Sequence, residues 1–287
     1  MESGREIKSR IRSINSIQQI TSAMELISVS RFRRLQSKVK MSRSYIEQLQ
    51  ELMENLLSTQ EDITHPLMVV REPRAIGVLI ITSDRGLCGA YNSNIIRIAQ
   101  SFVEDQGSKR EVKLILIGKK GYDFFKKRHY QIIKYQPQFS KGVTFADLHN
   151  IAQELIQGYS EERYDEIHLF FTKFTTAIHI SPTSIRLLPF KSTGAEGIED
   201  RGAELASEYI YEPSKEKILE TLLPKYVETQ IYQAILESMT SEHGARMVSM
   251  RSATENAKDL ISDLTLAYNK ARQAAITKEL IEITSGY

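Results

Sequence analysis

A single cysteine, Cys88, excludes an internal disulfide and fits a reducing compartment. Long apolar runs are also missing: Val78 to Ile81 and Leu114 to Ile117 fall far short of the roughly twenty residues that a membrane-spanning helix needs. Charge of one sign is missing overall. With 38 basic and 36 acidic residues, the net charge of +2 gives no global field that would draw nucleic acid or a membrane surface. The six histidines, His65, His129, His149, His168, His179 and His243, have no metal-ligand spacing. The opening MESGREIKSR has neither an apolar secretory core nor the acid-poor character of a transit peptide, and reads as a cytosolic bacterial start.

Two stretches lack helix breakers. Arg5 to Thr64 contains no glycine and no proline, and Pro224 to Tyr287 holds only Gly244 before Gly286. Each reads as one long helix. In the second, Ala253, Ala257, Leu260, Leu264, Ala267, Ala271 and Ala274 alternate in steps of four and three, the heptad stripe of a coiled coil. In the first, Ile7, Ile11, Ile14, Ile17, Ile20, Met24 and Ile27 also step by three or four. Large Ile opposite small Ala lets two axes approach closely, so the termini are expected to pair as an antiparallel coiled coil. Through Lys40 the first helix also carries a basic face: Arg5, Lys8, Arg10, Arg12, Arg31, Arg33, Arg34, Lys38 and Lys40 stand against only Glu2, Glu6 and Glu25. That basic segment lacks base-stacking aromatics except Phe32, which favours a solvated face or an acidic protein partner over nucleic acid.

Between the helices the period changes. Ala75 to Thr82, Val112 to Ile117, Ile132 to Tyr135 and Ile167 to Phe174 are apolar, β-branched strands. They alternate with helical segments at about 92–103, after Gly118 through Lys127, and from Phe145 to Gly158. This is the pattern of a mostly parallel, Rossmann-like α/β sheet covered on both faces. A hairpin edge is expected from Ala177 to Ser181 and Thr183 to Pro189, then a loop over Lys191 to Ala203 and an extended piece from Ser207 to Pro213. The domain plan is therefore 1–65 helix, 66–213 α/β body and 214–287 helix.

The loop from Ser83 to Asn92 follows the first strand and precedes a helix, the place of a phosphate cradle. It matches neither G-x-G-x-x-G nor the P-loop, so a structural turn competes with nucleotide binding. Cys88 in it reads either as a nucleophile beside Arg85 or as a small packed hydrophobe; no base is evident nearby.

The run from Arg5 to Ile14, Gln19-Ile-Thr-Ser-Ala-Met-Glu-Leu-Ile27, Ser83-Asp-Arg-Gly-Leu-Cys-Gly89, the run from Ala245 to Ala257 and that from Tyr268 to Ile283 together resemble the gamma subunit of F-type ATP synthases. The resemblance extends in order along the chain. It implies a rotor without cofactor or metal, whose coiled coil stands inside a ring of three alpha and three beta subunits. The α/β body would sit with epsilon on the c-subunit ring, at the cytoplasmic face of a bacterial plasma membrane and touching it only through the complex. Catalytic sites would belong to the ring subunits. The resemblance places rotor–stator coupling at Met24, Arg246, Gln273, Thr277 and Glu279. It puts an apolar bearing at Ile276, Leu280, Ile281 and Ile283, and c-ring or epsilon contacts at Tyr209, Tyr211 and Glu212. Ser22 departs from the Lys common in relatives, and no redox cysteine pair lies in 191–203. A small-molecule-binding α/β enzyme and a free-standing coiled-coil scaffold are the alternatives.

Overall fold

The computed structural model describes residues 4–58, 65–138, 145–176, 180–190 and 214–286. Two helices dominate, α1 (Gly4–Ser58) and α5 (Lys215–Ser285). With 71 residues, α5 spans about 105 Å at 1.5 Å per residue. Its start is set by Ser214, an extended N-cap whose hydroxyl accepts from Lys217 N at 3.4 Å. The helix then runs through Pro224, whose missing N–H would normally break it, because Leu219, Leu223, Val227 and Ile231 on the same stretch are buried against the body.

Five strands make one sheet: β1 (Ala75–Ile81), β2 (Glu111–Ile117), β3 (Ile132–Gln136), β4 (Glu166–Phe174) and β5 (Ile180–Leu188). The order is β3-β2-β1-β4-β5, parallel except for β5, which pairs antiparallel with β4. The expected two-piece hairpin edge is replaced by one strand. β5 runs unbroken through Pro182, which an edge strand tolerates because its missing N–H removes no interior ladder bond. Strand alternation splits the core. Ile76, Val78 and Ile80 face α2 (Tyr91–Gly107) and α3 (Lys119–Lys126), where Ile95, Ala99 and Phe125 cover them. Leu79 and Ile81 face α4 (Phe145–Ser160) and α5, meeting Leu155, Leu223, Val227 and Ile231.

The termini pair antiparallel, as the stripes predict. Gly4 lies beside Tyr268, Thr254 Oγ1 donates to Thr21 Oγ1 at 2.8 Å, and Arg251 reaches Glu25 at 2.9 Å. The phase of the seam, however, differs from the expected one. After Ile7, Ile11 and Ile14, the residues of α1 that face α5 are Gln18, Thr21, Glu25 and Ser28, then Phe32, Leu35, Val39, Ile46, Leu49, Met53 and Leu56. Ile17, Ile20 and Ile27 are exposed. On α5 the seam is Met250, Thr254, Ala257, Ile261, Leu264, Tyr268 and Ala271, while Leu260, Ala267 and Ala274 face out. Of the expected stripe on α5, Ala257, Leu264 and Ala271 keep their place and Ala253 is half-buried beside it. Small Thr21 and Ser28 allow close approach of the axes, and their hydroxyls are satisfied by Thr254 and by the Met24 carbonyl.

A polar seam buries less apolar surface than the Val39–Leu56 stretch, so it opens more often. In the isolated chain, amides of 17–28 are expected to exchange at least about tenfold faster than those of 39–56, read by hydrogen exchange and mass spectrometry. Equal protection along α1 would contradict that difference.

Candidate functional site: the cleft at the base of the rod and the bare helix end

The loop after β1 folds its polar groups inward. Ser83 N–H donates to Asn92 Oδ1 at 3.0 Å, Asn92 Nδ2 donates to Ser83 Oγ at 2.7 Å, and Ser83 Oγ donates to the Arg85 carbonyl at 2.6 Å. Asp84 turns to α3, accepting from the N–H groups of Lys119 and Gln138. Leu87 and Gly89 adopt positive φ of 62° and 56°, which turns the loop tip outward and leaves Leu87 exposed. The loop's side chains close this strand-to-helix turn on itself, Ser83 and Asn92 bonding each other and Asp84 reaching across to α3. Cys88 is buried, and burial pushes its thiol pKa up against the lowering effect of Arg246. That is the packed small hydrophobe.

The position where open α/β sheets take ligands, at the carboxyl ends of the strands where the order reverses, is covered by α5. Thr172 N–H donates to Ser238 Oγ at 3.2 Å, Ser241 Oγ donates to the Thr172 carbonyl at 3.4 Å, and Phe174 N–H donates to Glu237 Oε2 at 3.1 Å. The helix supplies these strand ends with the partners that a ligand would otherwise offer.

Beside this crossing, α1, the loop and α5 enclose a cleft of about 440 Å³ lined by Met24, Ile27, Arg31, Leu87, His243 and Arg246, among others. Met24 and Arg246, far apart in sequence, are thus brought together. Met24 is half-buried at the wall. Arg246 is buried, with its guanidinium on Glu242 at 2.6 Å and on the carbonyls of Gly86 at 3.2 Å and Arg85 at 3.4 Å. Its side chain clasps the loop. Glu242 also accepts from Gln138 Nε2. Burial raises the Glu242 pKa, restrained by Arg246 and Gln138.

His243 lines the same cleft, its pKa lowered to about 4 by burial first and then by Arg246 and Arg31. A folded value below the unfolded 6.5 contributes stability that is full above pH 6.5 and is lost as pH falls toward 4. Replacing His243 with Gln is expected to remove about 2–3 kcal/mol of this acid-side loss, measured as urea unfolding at pH 7.5 and 4.5. An unchanged difference between the two pH values would count against it. Sequence reading singled out neither His243 nor Glu242. Their signal, polar residues one and two turns from an apolar stripe, is shared by any solvated helix face.

The other predicted residues lie at the far end. Gln273 is about 40 Å along α5 from Arg246 at 1.5 Å per residue. Past Tyr268, which lies beside Gly4 near the start of α1, α5 soon runs on without α1 beside it. There Gln273, Ile276, Thr277, Leu280, Ile281 and Ile283 are exposed, and Thr277 Oγ1 donates to the Gln273 carbonyl at 2.9 Å. Glu279 lies in the same helical segment. Tyr209, Tyr211 and Glu212, with the expected 191–203 loop, fall outside the described residues.

The sequence pattern described as ATP synthase matches residues 3–287. The ATP synthase gamma chain of Desulfitobacterium hafniense is 44% identical over 286 residues, covering 100% of this chain and 98% of the relative. The chain belongs to the ATP synthase gamma-chain family. The gamma chain of a Geobacter species is 44% identical over 283 residues, covering 98% of this chain and 96% of the relative. In shape, the chain is similar to one in the OSCP/F1/c-ring part of the Euglena gracilis mitochondrial ATP synthase. The TM-score is 0.71 at 20% identity, over 99% of this chain and 93% of that one. A second likeness, to a chain of the Euglena gracilis rotor, has a TM-score of 0.68 at 18% identity, over 95% of this chain and 98% of that one. The pairing of long terminal helices with an inserted sheet body is thus the fold of this family. Among the described residues, no helix is long and apolar enough to cross a membrane.

Proposed function

We propose that the chain is the central-stalk rotor subunit of a bacterial ATP synthase, coupling ion-driven turning of a c ring to the cycling of catalytic sites on a surrounding ring. The observation that carries the reading is a two-stranded rod whose longer strand ends bare, with Ile276, Leu280, Ile281 and Ile283 exposed. Two strands have no threefold symmetry, so such a rod touches three surrounding sites differently at any angle. Differential contact is what shifts their affinities. The bare end suits an apolar sleeve, because non-directional contacts change little as the shaft turns. Exposed Ile17, Ile20 and Ile27 with the basic face of α1 suit contact with partner subunits along the rod.

The partners in this reading are three alpha and three beta subunits around the rod, with epsilon and the c ring at the body. The catalytic sites lie on the ring subunits, and the chain is held at the cytoplasmic face of the plasma membrane through the complex. Met24 and Arg246 act at the cleft, and Gln273, Thr277 and Glu279 near the tip. Tyr209, Tyr211 and Glu212 act at the foot. α5 lying across the sheet's ligand crevice speaks against the small-molecule enzyme.

Co-expression with alpha and beta subunits tests this. Because Cys88 is buried, the rotation probe belongs on Lys109→Cys, an exposed position after α2. Assembly and ATP-driven turning of the probe are expected. Failure to assemble with alpha and beta subunits that accept another gamma chain would overturn the reading.

A further inference from the structure

The two long helices and the sheet meet at a polar joint. Glu237 of α5 is buried, and its carboxylate serves three elements. Oε1 accepts from Arg43 Nε of α1 at 2.9 Å and from Gln233 Nε2 one turn back at 2.6 Å. Oε2 accepts from the N–H of Phe174, the last residue of β4, at 3.1 Å. Arg43 closes the circuit by donating Nη2 to the Phe174 carbonyl. Both backbone groups of Phe174 are therefore held by the Arg43–Glu237 pair, while its ring packs edge-on against Phe32 of α1, centroids 5.6 Å apart.

Packed seams and hydrogen bonds resist different motions. Apolar contact opposes separation of two helices but is non-directional, so it offers little against sliding or rolling. A planar guanidinium with donors on two different acceptors fixes distance and angle together. At this joint one such group bridges α1 to both α5 and the end of β4. We infer that Arg43 and Glu237 are positioning residues for torque transfer, locking both helices of the rod to the sheet body so that the three turn as one. The inference rests on the rotor reading. Lysine at 43 would keep the charge but, with a single ammonium on a flexible stem, could not hold both acceptors in one plane. Glutamine at 237 would place an amide donor against either Arg43 or the Phe174 N–H.

The test uses the complex with alpha and beta subunits fixed to a surface and a probe on Lys109→Cys. The angular variance of the probe during the pause between catalytic steps is inversely related to the stiffness between body and ring. Arg43→Lys and Glu237→Gln are each expected to raise that variance at least about twofold with ATP hydrolysis retained, whereas the exposed Arg163→Ala leaves it unchanged. Variance equal to that of the unsubstituted chain in both variants would overturn the joint while leaving the rotor reading intact. A rise of the same size in Arg163→Ala would overturn it too. If the unsubstituted chain neither assembles nor turns, the rotor reading falls and takes the joint with it.

Discussion

Replacing Gly118 with alanine is expected to lower the unfolding free energy by about 4 kcal/mol or more, seen as a drop of about 10 °C in the thermal midpoint. Gly118 lies between β2 and α3 at φ 94°, a conformation that side chains rarely adopt. A Cβ there would meet the Thr82 carbonyl oxygen at 2.0 Å and its carbon at 2.5 Å. Those atoms cannot retreat, because Thr82 keys two strands and a helix together. Its N–H donates to the Ile117 carbonyl at 2.8 Å, its hydroxyl donates to that carbonyl at 3.0 Å, and the same oxygen accepts from Gly121 N at 2.9 Å. Gly107 supplies the contrast. Nothing lies within 4 Å of a Cβ built there, so Gly107→Ala is expected to change stability by less than about 1 kcal/mol. Similar losses at both positions would show that the Thr82 contact is not the cause.

Arg246→Ala is expected to cost about 3–5 kcal/mol, because it strands the buried Glu242 carboxylate and releases the carbonyls of Arg85 and Gly86. The deficit should depend on pH. Burial holds the folded Glu242 pKa above its ordinary value of 4.5, and Arg246 is the largest influence opposing that rise. Without the arginine the folded value climbs further. A raised folded pKa gives stability that is present below the unfolded pKa and is lost as pH rises through the folded one. The gap between variant and unsubstituted chain is therefore smallest near pH 4.5 and widens toward neutrality, as urea unfolding at pH 5 and 8 would read. A gap that narrows with rising pH would refute the account.

These two positions mark what a linear reading can and cannot reach. The β-branched runs of β1, β2 and β4 announce buried parallel strands, since each is a local preference. The seam phase is not local. Along α1 the larger apolar residues Ile17, Ile20 and Ile27 stay exposed, yet packing buries Thr21 and Ser28, because the Thr21–Thr254 contact needs small partners on both helices. The row of isoleucines left outside is the kind of exposed apolar surface that a partner covers, so the mismatch itself carries functional information. The family resemblance singles out Arg246, but the sequence carries no sign of its grip on the 85–86 carbonyls. Arg43 and Glu237, 194 positions apart, carry no local signal of each other.

The antiparallel pairing also sets an order of events in folding. Gly4 meets Tyr268, so α1 leaves the ribosome long before its partner exists, and the end of β4 waits for Glu237, Ser238 and Ser241 to satisfy its backbone. Contacts this distant in sequence close late and slowly. Throughout synthesis, a basic helix with an exposed Ile row stands alone beside an incomplete sheet, the stage at which the nascent chain most needs protection from aggregation.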